Sequence, residues 1–179
     1  MSRIAIDMDE VLADTQAKQL AWLNQQFDLQ LTPKKVEGHL LWEALSDEAA
    51  KALDNEMRQP DFFADLAVMP HAKSIMEILY QEHEIFIATA AMEYPTSFTA
   101  KFDWLAMHFP YIHPSRIVFC GDKSIIHADY LIDDSPRFLS GFKGQGLLYR
   151  APRNVNVTDY PVVENWLDVA KYFSVSLPA

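Results

Sequence analysis

A parallel α/β sheet flanked by helices, with a small helical insert after its first strand, is the fold this sequence predicts. Three observations predict it. Short apolar runs with few polar interruptions alternate with amphipathic stretches, the pattern of strands buried on both faces and joined by right-handed crossover helices. One long stretch, 15–69, contains no convincing strand. Each apolar run ends in polar residues, as expected where strands deliver side chains to one edge of a sheet.

The strands expected are 3–7, 84–90, 116–120, 130–133 and 146–149. Between them, Ile75, Ile78 and Leu79 stand at helical spacing after Pro70. Phe98, Phe102, Leu105 and Phe109 do likewise after Pro95, and 162–173 reads as a closing helix carrying Trp166, Leu167, Val169 and Ala170. In the strand-free stretch, 17–27 and 47–57 look helical and are joined by polar turns such as Thr32-Pro33 and Gly38-His39. So long a crossover exceeds a single βαβ connection, so residues 15–69 are expected to form a small helical cap. Residues 1–14 and 70–179 are then the core. The aromatic and apolar residues of the insert, Trp22, Phe27, Leu41, Trp42, Phe62 and Phe63, would make a small core of its own. Trp42 and the Phe62-Phe63 pair could instead wall a pocket over the sheet.

The 179 residues suffice for one well-buried core, and 50% hydrophobic with 22% charged residues is an ordinary globular composition. A net charge of −10 argues against nucleic-acid polymers as partners, and no apolar stretch approaches a membrane span. MSRIAIDMDE has no long apolar stretch ahead of its acids, so no secretory leader is expected. The lone Cys120 forms no internal disulfide, suits a reducing compartment such as the cytoplasm, and reads as a packed thiol. An acidic protein that takes an anionic substrate needs a metal or a focused cation at its site.

The strand ends supply both. Asp7 and Asp9 close the first strand, Thr89 the second, Lys123 follows the third, and Asp133-Asp134 close the fourth. Each alone has an ordinary explanation: a helix cap, a turn, a solvated lysine. Together on one edge they form an oxygen cluster fit for a hard divalent cation, Mg²⁺, which takes one or two carboxylates and leaves room for a phosphate oxygen. An ionised Asp7 can attack phosphorus, Asp9 can protonate the departing alkoxide, and Lys123 and Thr89 can hold phosphate oxygens. Asp14 reads as a cap or cap-hinge residue, and Asp122 could either orient Lys123 or cap the following turn.

This order resembles the haloacid dehalogenase superfamily of phosphatases, in which DxDx(V/T) opens the chain and a Thr/Ser, a Lys and an acidic pair follow. DMDEVLADT, PDFFADLAVMPHA, IATAA and GDKSIIHADYLIDDSP look, more narrowly, like the 5′(3′)-deoxyribonucleotidase branch. The resemblance implies a Rossmann-like core under a small cap, with Asp7 as nucleophile and Asp9 as acid/base. It implies Mg²⁺ held by the Asp7 carboxylate, the Asp9 backbone carbonyl and Asp134, with Asp133 close behind. Phosphate contacts would fall to Thr89, Ala90 and Lys123, and base contacts to Trp42 and Phe63. The implied substrate is a small phosphomonoester, a (deoxy)nucleoside monophosphate. Glu10 and His71 stand where a Gly is usual, and Ala90 where a Ser is often found. A receiver domain would place its acids and lysine in another order. A phosphotransferase, a phosphatase of another small metabolite and a non-catalytic phosphate-binding regulator share the first motif. A cap this small leaves an open site that a second copy, as in a homodimer, could cover.

Overall fold

The structure, a computed structural model, describes residues 1–175. The last residues of the expected core, 176–179, lie outside the described residues. Six strands form one sheet in the order β3-β2-β1-β4-β5-β6, every neighbouring pair parallel. They are β1 Arg3–Ile6, β2 Glu84–Thr89, β3 Ile117–Phe119, β4 Tyr130–Asp133, β5 Gln145–Tyr149 and β6 Val162–Val163. The order reverses at β1, which pairs with β2 on one side and β4 on the other. Such a reversal opens a crevice beyond the carboxyl ends of the two strands. Successive residues of a strand face opposite sides of the sheet. Ile4, Ile6, Ile85, Ile87, Ile132 and Leu147 belong to one large apolar cluster, and Ala5, Ala88, Leu131 and Leu148 to a smaller one.

The helices are α1 Thr15–Phe27, α2 Asp47–Met57, α3 Ala72–Glu82, α4 Phe98–His108, α5 Pro136–Leu139 and α6 Trp166–Tyr172. Local chemistry sets their starts. The Asp14 carboxylate accepts from the Ala17 amide, Ser46 accepts from Ala49, and Asn165 accepts from Leu167 and Asp168, each satisfying an otherwise orphaned first-turn amide. The last cap explains one correction. Residues 162–173 are not one helix: Val162 and Val163 pair with Leu148 and Tyr149 as β6. Asn165 then stops the extended backbone and starts α6 at Trp166. Two β-branched residues beside an open sheet edge favour the strand.

The 15–69 segment has α1, α2 and two 3-10 turns, Pro33–Val36 and Leu41–Ala44, and no strand. Its two ends are stitched together. The Asp14 amide donates to the Ala67 carbonyl at 2.9 Å and the Met69 amide to the Leu12 carbonyl at 2.8 Å. Gly38 docks the segment on the loop after β5, its amide donating to the Pro152 carbonyl at 2.8 Å. Its φ of +78 is a conformation that glycine adopts without strain and a side chain would not. The aromatics of the segment form no separate core: Phe62 and Phe63 belong to the large cluster, with Trp22 and Phe27 packed against it. Among the described residues no helix is long and apolar enough to cross a membrane.

Candidate active site

The register of the sheet builds the site. Ile6 of β1 lies opposite Ile132 of β4, and the Asp7 amide continues the ladder to the Ile132 carbonyl at 2.9 Å. Asp7 therefore emerges beside Asp133 and Asp134. After Asp7 the chain folds tightly, with the Leu12 and Ala13 amides both donating to the Met8 carbonyl. The Trp166 indole donates to the Val11 carbonyl at 2.7 Å and braces this loop from α6.

Lys123, fully buried, donates to Asp7 Oδ1 and to Asp133 Oδ2, each at 2.6 Å. Asp133 Oδ1 accepts from the Ser135 amide at 2.8 Å, so both oxygens of Asp133 are engaged. Asp134 differs. Neither of its buried oxygens has a hydrogen-bond partner; Arg153 Nη2 lies 2.5 Å from Oδ2 as a charge contact outside hydrogen-bond geometry. One carboxylate oxygen each from Asp7, Asp133 and Asp134 lies within 4.8 Å of the others, as ligands of one cation would. The Asp9 side chain stands apart: Thr15 Oγ1 donates to Oδ1 at 2.7 Å and the Lys101 ammonium pairs with Oδ2. That ammonium lies 4.5 Å from the centre of the Phe63 ring.

Five buried or half-buried carboxylates, Asp7, Asp9, Glu10, Asp133 and Asp134, thus face three cations, Lys101, Lys123 and Arg153. A divalent cation would neutralise the set. Without one, burial pushes Asp7 up to about 7 against the pull of Lys123, and Asp134 up to about 8 against that of Arg153, with the neighbouring acids adding to both. Burial likewise pushes Glu10 up to about 8. Burial also works to raise Asp9, but the attraction of Lys101 and the hydrogen bonds from Lys101 and Thr15 hold it below the usual carboxylate range. Lys123 is disfavoured by burial, yet two facing carboxylates keep it firmly protonated.

Of the other expected residues, Thr89 is buried at the end of β2 with an unpartnered hydroxyl, and Ala90 lines the cavity beside it. The cavity, about 490 Å³, runs from the acids to Trp42, Phe63 and Met57. Phe62 does not line it; its ring packs edge-on against Phe63 at 5.0 Å. Asp14 is a cap, and of the two readings of Asp122 the structure takes the cap, its carboxylate accepting from the Ser124 amide at 2.9 Å. Glu10 and His71 both adopt left-handed backbone, φ 63 and 66, the conformation in which a glycine carries no steric penalty. Glu10 turns into the site, its carboxylate accepting from the Gln16 amide at 2.6 Å.

Two residues of the site escape sequence reasoning. Lys101 sits three residues after Phe98 and four before Leu105, on the apolar stripe of α4, and a cation on such a stripe is a signal of internal pairing. Arg153 follows the carboxyl end of β5, where the rule that found the other strand-end groups also applies.

A parallel α/β sheet with acids at its switch point and a basic residue between them defines the haloacid dehalogenase class of hydrolase. The backbone agrees with solved members: a haloacid dehalogenase-like protein of Agrobacterium tumefaciens superposes with a TM-score of 0.61 at 14% identity, covering 97% of this chain and 98% of that one. A Bacillus subtilis protein assigned to the same hydrolases gives 0.62 at 14%, covering 97% and 99%. Within that class the chain belongs to the family described as 5′ nucleotidase, deoxy (pyrimidine), cytosolic type C protein, whose pattern matches residues 1–176. A Staphylococcus epidermidis protein provisionally named a 5′(3′)-deoxyribonucleotidase is 43% identical over 172 residues, 96% of each chain. The 5′(3′)-deoxyribonucleotidase of Bacillus subtilis strain 168 is 35% identical over 170 residues, 94% of this chain and 96% of that one. The chain is a phosphoric monoester hydrolase of the 5′-nucleotidase type.

Proposed function

We propose that this protein is a Mg²⁺-dependent nucleotidase that removes phosphate from (deoxy)nucleoside monophosphates through an aspartyl-phosphate on Asp7. The charge balance of the site carries this reading: two carboxylates in excess of the cations, with both oxygens of the buried Asp134 free of hydrogen bonds. The residues fit a hard cation held by Asp7, Asp134 and the Asp9 backbone carbonyl, with Asp133 behind them fixing Lys123. The cation, when bound, supplies Lewis-acid stabilisation of phosphate charge.

The chain's own residues do the rest. Lys123 orients Asp7 through Oδ1, leaving the other oxygen to attack phosphorus. The Asp7–phosphorus bond forms as the bond to the nucleoside oxygen breaks, and Asp9 gives that oxygen a proton. Asp9 then takes a proton from the water that cleaves the aspartyl-phosphate, and inorganic phosphate leaves. Lys101 holds Asp9 ionised in the resting site. A phosphate dianion beside the pair pushes its proton affinity back up, as like charge does. Lys123, Thr89 and the Ala90 backbone face the phosphate oxygens. Residues 1–14 and 70–175 carry this chemistry, and 15–69 act as the cap over the nucleoside, with Trp42 and Phe63 toward the base. The lone free Cys120 suits a cytoplasmic setting.

Phosphate release from a panel of 5′- and 3′-nucleotides and sugar phosphates, with and without Mg²⁺ and beside Asp7→Asn, tests the proposal. Mg²⁺-dependent release from nucleotides that vanishes in the variant is expected. Release that survives either Mg²⁺ removal or the substitution overturns it.

A further inference from the structure

Away from the acids, several polar side chains of the cavity already have partners. Tyr94 Oη donates to Asp54 Oδ1 at 3.3 Å, and Glu93 pairs with Arg137 at 2.5 Å. Asn154 Nδ2 donates to the carbonyls of Asp134 and Tyr149, and its Oδ1 accepts from the Ala151 amide. Gln19, on α1, is less well served. Gln19 lines the cavity, and its one side-chain hydrogen bond among the described residues runs from Nε2 to the sulfur of Met57 at 3.2 Å. A thioether is a weak acceptor, and the carbonyl oxygen of Gln19 has no hydrogen-bond partner among the described residues. Met57 is apolar, and Leu41, Trp42 and Phe63 line the same cavity. Gln16, one turn earlier on the same helix face, also lines the cavity, and its backbone amide alone is engaged, with Glu10.

Position along α1 separates their tasks. Thr15, the first residue of the helix, holds Asp9 and so marks the phosphate end. At a rise of about 1.5 Å per residue, Gln19 stands roughly 6 Å farther along the axis. That is the scale of the separation between the phosphate and the base of a nucleotide.

We propose that Gln19 is a specificity-determining residue that reads the hydrogen-bonding edge of the nucleobase, with Gln16 on the sugar side of it. The inference rests on the nucleotidase reading above and goes beyond it by naming the group that meets the base. A carboxamide sets a donor beside an acceptor, which complements any base edge that does the same. Rotating the amide by half a turn exchanges the two, so the edge of uracil or thymine (N3–H with O4) and that of cytosine (N3 with N4–H₂) both fit. The contact to Met57 is weak enough to be given up for either. Gln19 therefore selects for the presence of a base and discriminates little between these two.

The test measures kcat/KM of the Mg²⁺-loaded enzyme for deoxyuridine 5′-monophosphate, deoxycytidine 5′-monophosphate and the base-free deoxyribose 5-phosphate, in the wild type, Gln19→Leu and Gln19→Glu. Gln19→Leu keeps the bulk and removes the hydrogen bonds; both nucleotides should lose about 10- to 100-fold, with deoxyribose 5-phosphate within about twofold of wild type. Gln19→Glu leaves only acceptors, which suit one group of each edge (cytosine N4–H₂, uracil N3–H) and oppose the other (cytosine N3, uracil O4). Both nucleotides should therefore lose about tenfold, with their ratio within about twofold of wild type and deoxyribose 5-phosphate spared. A wild type that prefers nucleotides, combined with variants that lose all three substrates alike or none, overturns the role of Gln19 and leaves the nucleotidase reading standing. A wild type that hydrolyses deoxyribose 5-phosphate as well as it does the nucleotides overturns both.

Discussion

The two ends of the cavity are built on opposite principles. At one end Asp7, Lys123, Asp133 and Asp134 are buried at the carboxyl edge of the sheet, and hydrogen bonds or charge contacts fix each of them. At the other, Leu40, Trp42 and Met57 come from helices and turns outside the sheet; Trp42 is 38% exposed and Leu40 51%. Strand pairing places the first set as a by-product of forming the sheet, because Ile6 against Ile132 obliges Asp7 to meet Asp133. Met57 is buried in the core, but nothing comparable to strand pairing holds Leu40 and Trp42 to one geometry. Charge gathered by a rigid sheet suits a reaction whose atoms must stay put, and a loosely held apolar wall suits recognition of a flat, variable group. Perturbing the acid end should thus change rate and stability together, and perturbing the far end should change binding alone.

The largest contrast is Asp7→Asn. Losing the nucleophile should lower kcat by about 10⁴-fold or more, roughly 5.5 kcal/mol of barrier. Stability should hold or rise, because a carboxylate that burial pushes up to about 7 is replaced by a neutral amide. Phosphate release and thermal unfolding measured on the same preparation check both halves. Activity above about a hundredth of wild type would place the nucleophile elsewhere.

Lys123→Met comes next. Without its ammonium, Asp7 and Asp133 remain buried beside one another with no cation between them. Removing one partner from a buried ionic set costs about 3–5 kcal/mol. For a domain of this size that is a fall in Tm of roughly 10 °C. Differential scanning calorimetry gives the answer; a shift under about 2 °C would mean that Lys123 does not hold the acids together.

A smaller effect separates the acid end from the rest through pH. Asp7 at about 7, Asp134 at about 8 and Glu10 at about 8 all bind protons more tightly in the folded chain than in the unfolded one. The stabilisation from these raised acids is complete below their unfolded values near 4, and is lost as pH rises toward 8. In EDTA, Tm should therefore fall as pH rises from 5 to 8. Added Mg²⁺ binds the ionised acids and should raise Tm more at pH 8 than at pH 5. Equal Mg²⁺ shifts at the two pH values would break the assignment of Asp7 and Asp134 to the cation.

The same division decides what could be read in advance. β4 runs over Tyr130–Asp133 and α2 over Asp47–Met57, as the sequence pattern indicates, because unbroken apolar runs and well-placed caps carry their own boundaries. Asp7, Lys123, Asp133 and Asp134 were legible because strand ends converge wherever a parallel sheet forms. Lys101 and Arg153 were less legible, since the first lies within a helix and the second in a 3-10 turn beyond β5, and tertiary contact is what pairs each with its particular acid. β6 was missed for a related reason: two valines become a strand only beside the edge that β5 offers. Trp42 and Phe63 were both expected near the base, yet the structure gives them different surroundings, one open and one 1% exposed beneath Lys101.

That difference gives the smallest and most discriminating prediction. Trp42→Ala removes an indole that is already partly in solvent, so the loss of stability should stay within about 1 kcal/mol. If the indole stacks on the base in the ground state and the transition state alike, KM for nucleotides rises with kcat unchanged, since uniform binding is what is lost. Aromatic stacking on a base is worth about 1–3 kcal/mol, which sets the expected rise near tenfold. Phe63→Ala cannot give so clean a result. Its ring packs on Phe62 at 5.0 Å and near Tyr94 at 6.0 Å and sits under the Lys101 ammonium. Its truncation should cost about 3–5 kcal/mol and release the cation that holds Asp9. Steady-state kinetics on a nucleotide and on deoxyribose 5-phosphate tell the two apart: Trp42→Ala should spare the base-free substrate, and Phe63→Ala should impair both. A Trp42→Ala enzyme that loses kcat on both substrates would tie the open wall to the chemistry after all, and the two ends of the cavity would have to be treated as one unit.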